Sequence, residues 1–171
     1  MRAILGPQLS AVMERLIPLL VGIFCVMLTL LPWGTSTNFL VPPAFALMAV
    51  FHWALYRPDL MPPVSVFLIG VYHDLASGGP IGLWALIYLF TYGVVVSQRL
   101  FFIGRPFFAI WLAFGIIAVV SGLIVWTASG LYFGAVLSPV PALVQALVSF
   151  VLFPVLGRFF SMIQHRFSSP V

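Results

Sequence analysis

Long apolar runs, broken by short clusters of proline, glycine and arginine, set the pattern of this chain. A helix needs about 20 mostly apolar residues to cross a hydrocarbon layer about 30 Å thick, because it rises 1.5 Å per residue. Six runs approach that length, approximately residues 16–33, 39–56, 61–76, 81–97, 107–128 and 139–156. The breaks between them are Pro32-Trp33-Gly34, Arg57-Pro58-Asp59, Gly78-Gly79-Pro80, Gly104-Arg105-Pro106 and Ser138-Pro139-Val140-Pro141. The runs are apolar all round and show no period-two alternation, so they predict helices and not the strands of a barrel. The sequence therefore predicts an all-α, polytopic integral membrane protein, a single transmembrane domain over residues 1–171. Residues 61–76 are short and flanked by Pro62-Pro63 and Gly78-Gly79-Pro80, so they pair with residues 81–97 either as two spans or as a tilted, re-entrant hairpin.

Arginine gives the orientation, because cytoplasmic loops carry the excess of positive charge. With six spans and both termini in the cytoplasm, Arg2, Arg15, Arg57, Arg99, Arg105, Arg158 and Arg166 all fall on the cytoplasmic side. A different span count divides them. Tryptophan prefers the two interfaces; Trp33, Trp84 and Trp126 come at expected outer ends, Trp53 and Trp111 at expected inner ends. Phe101–Phe114, rich in aromatics around Gly104-Arg105-Pro106, reads as an interfacial turn that anchors the chain or offers a groove to a partner or lipid. The first run follows Arg2 and Arg15 as a secretory signal would, yet no A-x-A-type cleavage site follows it, so it reads as a retained span.

Composition narrows the chemistry. Of 171 residues, 63% are apolar and 6% are charged, against about 25% charged in an ordinary soluble domain. Lysine is absent, which removes a lysine Schiff base and a P-loop lysine. The net charge of +4 is scattered between apolar runs, without the clustered basic face that nucleic acid requires. One cysteine, Cys25, makes neither an internal disulfide nor a thiolate metal site.

Asp74 is the most informative side chain, because a carboxylate at mid-bilayer costs about 2.5–3.5 kcal/mol and is retained for a reason, although Asp74 belongs near the outer end of the third run, where snorkelling and water reduce that cost. Three readings stand: a cap on the backbone N–H groups of the Ser77-Gly78-Gly79-Pro80 turn, a polar contact with a partner protein or lipid headgroup, or an acid, base or ion ligand. His73 and His52 belong to opposite ends of their spans, too far apart to share a metal, and His165 lies in the tail. No metal site or cofactor is expected, and the histidines read as helix–helix hydrogen-bonding or interfacial residues. No G-x-S-x-G is present, and Asp74 is the sole acid within a span, so an intramembrane aspartyl dyad is absent. Catalysis is not expected. Gly93, Ser97, Gly115, Ser121 and Gly122 are small residues that let helices approach closely.

The middle of the chain resembles the rod shape-determining protein MreD family. The pattern is a proline-led second span ending Trp53-Ala54-Leu55, then Arg57-Pro58, Phe67-Leu68-Ile69-Gly70, Asp74 and Ser77-Gly78-Gly79-Pro80-Ile81-Gly82-Leu83. It is clearest over residues 42–88; length, Leu31-Pro32-Trp33 and a short basic tail after Pro154 extend it. The resemblance implies a six-transmembrane-helix bundle similar to the substrate-binding subunits of energy-coupling-factor transporters. It also implies a non-enzymatic inner-membrane component of the bacterial cell-elongation and peptidoglycan-synthesis complex. Its implied partners are MreC, through a transmembrane helix, and MreB, RodA and a penicillin-binding transpeptidase in the same complex, besides membrane lipids. Arg57, Pro58, Asp74, Gly78, Gly79, Pro80 and Gly82 carry over as structural or partner-contact residues. His73 joins them as a departure from the smaller or apolar residue expected there. A small-ligand-binding or transport subunit is the alternative that the bundle architecture permits.

Overall fold

The computed structural model describes residues 7–32, 41–102 and 104–167, with the side chains of 16–32, 41–102 and 104–162. The expectations for Arg2, Arg15, Trp33, His165 and Arg166, and for the first residues of the second run, lie outside that description. Among the described residues all regular structure is helical: α1 (Pro7–Leu30), α2 (Phe45–Tyr56), α3 (Pro63–Ser77), α4 (Leu83–Ser97), α5 (Arg99–Phe102), α6 (Phe107–Phe133) and α7 (Val140–Phe167).

Prolines set several of these limits. Pro42 and Pro43 have no N–H to give a helix, and the second run becomes helical only at Phe45. Pro63 opens α3 at its first position, where a missing N–H costs nothing. The consequence for α2 is a length of 12 residues, about 18 Å, too short to cross a bilayer unaided. By length and apolarity, two described segments suffice for a crossing, Phe107–Phe133 and Val140–Met162.

α2 is the central helix. Every residue from Phe45 to Leu55 is buried, as α1, α4, α6 and α7 all pack against it. Ala46, Ala49 and Ala54 let those neighbours come close, and Phe51 meets Phe114 of α6 and Phe153 of α7 edge-on, each at 5.4 Å between ring centroids. The non-helical residues leading into α2 carry backbone groups that lipid could not satisfy. Neighbouring helices satisfy them: Ser149 Oγ accepts from the Ala44 N–H at 2.8 Å, Gln145 Nε2 donates to the Pro42 carbonyl at 3.0 Å, and Thr29 Oγ1 donates towards the Pro43 carbonyl at 3.4 Å.

Around α2 stand two helical hairpins, α3 with α4 and α6 with α7. α6 and α7 close on small residues, with Gly115 against the Phe150 ring and Gly122 against the Ala142 carbonyl. Pro154 inside α7 removes the N–H that the Phe150 carbonyl would otherwise accept from. The indole of Trp111 takes that carbonyl instead, donating at 2.7 Å while stacking on the Phe150 ring. Gly93, expected to mark a close helix approach, faces open space. Ser97 is exposed and donates to the Val94 carbonyl of its own helix. Trp53, expected at an interface, is buried against Phe160 and His52.

The outer faces are apolar. Leu20, Phe24, Ile116, Leu123, Leu147, Val151 and Val155 are all exposed, an apolar surface far more extensive than a soluble monomer shows. Polar punctuation gathers at the two ends. Arg99 Nε donates to the Leu55 carbonyl at the end of α2. Tyr56, Phe107 and Arg158 line one cavity, so the ends of α2 and α7 and the start of α6 share that side. The turn between α3 and α4 lies at the other.

Candidate functional site

α4 begins at Leu83 with no acid in its first turn, and its N-cap residue Gly82 has no side chain with which to cap. The first N–H groups of any helix lack intrahelical partners, and in an apolar setting each must find one. Asp74, in the last turn of α3, supplies them. Its Oδ2 accepts from the N–H groups of Gly82 at 2.9 Å and Ala85 at 3.3 Å, and its Oδ1 accepts from the Trp84 N–H at 2.8 Å. The remaining donors turn inward, Leu83 N–H to the Pro80 carbonyl and Leu86 N–H to the Gly82 carbonyl. The carboxylate is 2% exposed and lies where the positive end of the α4 dipole favours a negative charge. The cap thus comes from the preceding helix and ties α3 to α4. The sequence places that cap on residues 77–80; the bonds reach past the turn to the helix behind it.

The turn is shaped to permit this. Gly78 (φ 66°) and Gly82 (φ 94°) are both left-handed, a conformation open to glycine at little cost. Gly78 ends α3 and Gly82 starts α4, with Pro80 between them offering its carbonyl to Leu83. Gly79 needs no such conformation and has room for a side chain. His73, one residue before the cap, is buried and stacks on the Trp84 indole at 4.2 Å, its Nδ1 2.6 Å from the Tyr88 hydroxyl. Asp74 therefore holds the α4 backbone while His73 holds its side chains.

Arg57 and Pro58 are not part of this cluster. They follow α2, at the end of α3 opposite Asp74, and Arg57 pairs with Asp59 at 3.1 Å on the surface. His52 sits apart from His73, its ring near those of Tyr56 and Phe160. Among the described residues no group of three or more His, Cys, Asp or Glu is placed to hold a metal ion. With three amide donors on its two oxygens, Asp74 has the geometry of a structural cap.

A model of the rod shape-determining protein MreD family matches residues 11–163 of this chain. The chain belongs to the MreD family. No curated protein and no solved structure gives a match. The match takes in the whole α3–α4 hairpin, and with the apolar exterior it makes this a rod shape-determining membrane protein.

Within this MreD-family chain, sequence reasoning missed three features of the site. Trp84 and Tyr88 are four apart on α4, hence on one face, and that spacing is the signal for the His73 clamp. Gly70 is the point of closest approach of the hairpin: a Cβ there would overlap the backbone of Ala85. It lies four residues before Asp74, on the same face of α3. Gln145 and Ser149 share a similar spacing on α7 and were legible as polar positions in an apolar run, though their partners before α2 were not.

Proposed function

We propose that this chain is a non-enzymatic inner-membrane component of the bacterial cell-elongation complex. In this reading it is a six-span bundle with both termini in the cytoplasm, similar in architecture to energy-coupling-factor substrate-binding subunits. It binds the transmembrane helix of MreC and helps to position RodA and a penicillin-binding transpeptidase for peptidoglycan synthesis, in a complex that includes MreB. The observation that carries the reading is the family match across residues 11–163.

Geometry supports it in two ways. The carboxylate of Asp74 and the polar groups of Thr29, Gln145 and Ser149 are engaged in holding the bundle together. The outer faces present apolar side chains over most of their height, the surface that a transmembrane partner contacts by van der Waals packing. His73, Asp74, Gly78, Gly79, Pro80 and Gly82 then act as the structural staple of that surface, and Arg57 and Pro58 shape its other end.

Gentle detergent extraction of the tagged chain from its native membrane, with mass spectrometry of its companions, tests the proposal. MreC, with RodA and the transpeptidase at lower yield, is the expected companion. Recovery of a nucleotide-driven transport module, or of a bound vitamin-like molecule without MreC, would replace the scaffold by the transport reading.

A further inference from the structure

At the arginine-bearing end, a cavity of about 600 Å³ opens between the last turns of α2, the start of α6 and the stretch of α7 from Phe153 to Met162. Its lining is mixed: Phe107, Phe153, Pro154 and Met162 are apolar, Tyr56, Ser161 and Arg158 are polar, and His52 contributes from α2. Gly157 makes the space: no heavy atom lies within 4 Å of where its Cβ would be.

The arginines of this end are not equivalent. Arg57 is paired with Asp59, Arg99 Nε donates to the Leu55 carbonyl, and the Arg105 guanidinium lies 4.7 Å over the Phe101 ring. Arg158 has neither an ion pair nor a hydrogen bond among the described residues, and it lines the cavity. A guanidinium presents a planar fork of donors that suits phosphate oxygens. The phenol of Tyr56 and the hydroxyl of Ser161 line the same cavity and add two more donors. No described carboxylate lines the cavity, so its polar groups are complementary to an anion. A free phosphate ion would leave Phe107, Phe153 and Met162 without a partner.

We infer that this cavity binds an anionic phospholipid, its phosphate on Arg158 with Tyr56 and Ser161, and the first methylenes of its chains against Phe107 and Phe153. The site is distinct from the α3–α4 staple and does not depend on which protein partner the bundle holds. A seated lipid would fill the gap between α2, α6 and α7 and tie their ends together at the membrane surface.

Native mass spectrometry of the full-length chain in detergent tests this, by titration with dioleoyl-phosphatidylglycerol and separately with dioleoyl-phosphatidylcholine. Retention of the anionic lipid is expected to exceed that of the zwitterionic one by about tenfold, the scale of one charge-assisted contact. Arg158→Gln is expected to abolish that preference. Gly157→Leu, whose side chain enters open space and leaves the polar groups in place, is expected to reduce retention of both lipids. Should Arg158→Gln fail to fold, Gly157→Leu decides. Equal retention of the two lipids by the unaltered chain overturns the inference, as does unchanged retention in both variants. Displacement of the phosphatidylglycerol by millimolar inorganic phosphate overturns the lipid as occupant and leaves a simple anion site.

Discussion

Asp74→Ala is expected to lower the stability of the purified protein by about 3–5 kcal/mol: a hydrogen bond to a charged group contributes about 1.5–3 kcal/mol, and the three amides that lose their acceptor together, Ala85 buried and Gly82 and Trp84 partly exposed, add to less than three times that because the last two can turn to water. At about 2–4 °C per kcal/mol for a chain of this size, the thermal midpoint in detergent falls by about 6–20 °C. Asp74→Asn separates the charge from the geometry. One carbonyl oxygen can still accept from Gly82 and Ala85, while the amide nitrogen brings a donor against the Trp84 N–H, so an intermediate loss is expected. Asp74→Glu carries an extra methylene into a site that is 2% exposed and is expected to be worse than Asn. The alternative readings of Asp74 give a different result. A partner contact or an ion ligand predicts a full thermal midpoint for Asp74→Ala, with the loss appearing only in the cell.

Gly70→Ala is the second large effect, and it comes from a single added carbon. The new Cβ would overlap the Cα and N of Ala85, which are backbone and cannot rotate away. Overpacking of this kind typically costs about 1–3 kcal/mol; Gly70→Leu goes further and is expected to prevent the hairpin from closing, with loss of the folded protein from the membrane. The same displacement would pull Trp84 and Ala85 from Asp74, so the two substitutions are expected to be non-additive. Ala85→Gly does not rescue Gly70→Ala, because the clash is with main chain. Gly93→Ala on the facing helix is the control: its Cβ meets nothing within 4 Å, and it is expected to leave the thermal midpoint unchanged or slightly raised. Parallel melting curves of Gly70→Ala and Gly93→Ala check both expectations.

The helices were readable because proline, glycine and arginine break the apolar runs; α3 and α4 fall within two residues of their expected limits, whereas α1 starts nine residues before 16, α2 starts six after 39, and α6 and α7 run five and eleven past 128 and 156. Their packing was not readable. α2 and α6 are equally apolar all round, yet α2 is enclosed and α6 turns Ile116, Val120 and Leu123 outward. In water, apolarity would assign both to a core, but lipid is as apolar as leucine and gives no such preference. The decision rests on fit: alanines on α2, glycines on α6, and Gln145 and Ser149 waiting on α7 for the carbonyl and N–H that precede α2.

Asp74 shows the same division. Its residue type and its position beside a glycine-proline turn gave a cap as one of three readings, since no unpaired carboxylate persists cheaply in an apolar run. Which amides it caps depends on how closely α3 and α4 approach, and Gly70 sets that distance from a full turn away. Gly93 reads identically in one sequence and packs against nothing. Of the cavity at Arg158 only Phe107 was in view, within the aromatic turn Phe101–Phe114 read as an anchor or a groove for a partner or lipid; its other walls come from segments far apart along the chain.

Cell shape in a rod-shaped bacterium whose only MreD-family protein is this chain tests the shape-determining role of the bundle and of its Asp74 staple. Cells carrying the unaltered chain are expected to remain rods, and cells carrying Asp74→Ala to widen and round. Round cells with the unaltered chain present in the membrane at normal level would contradict the account.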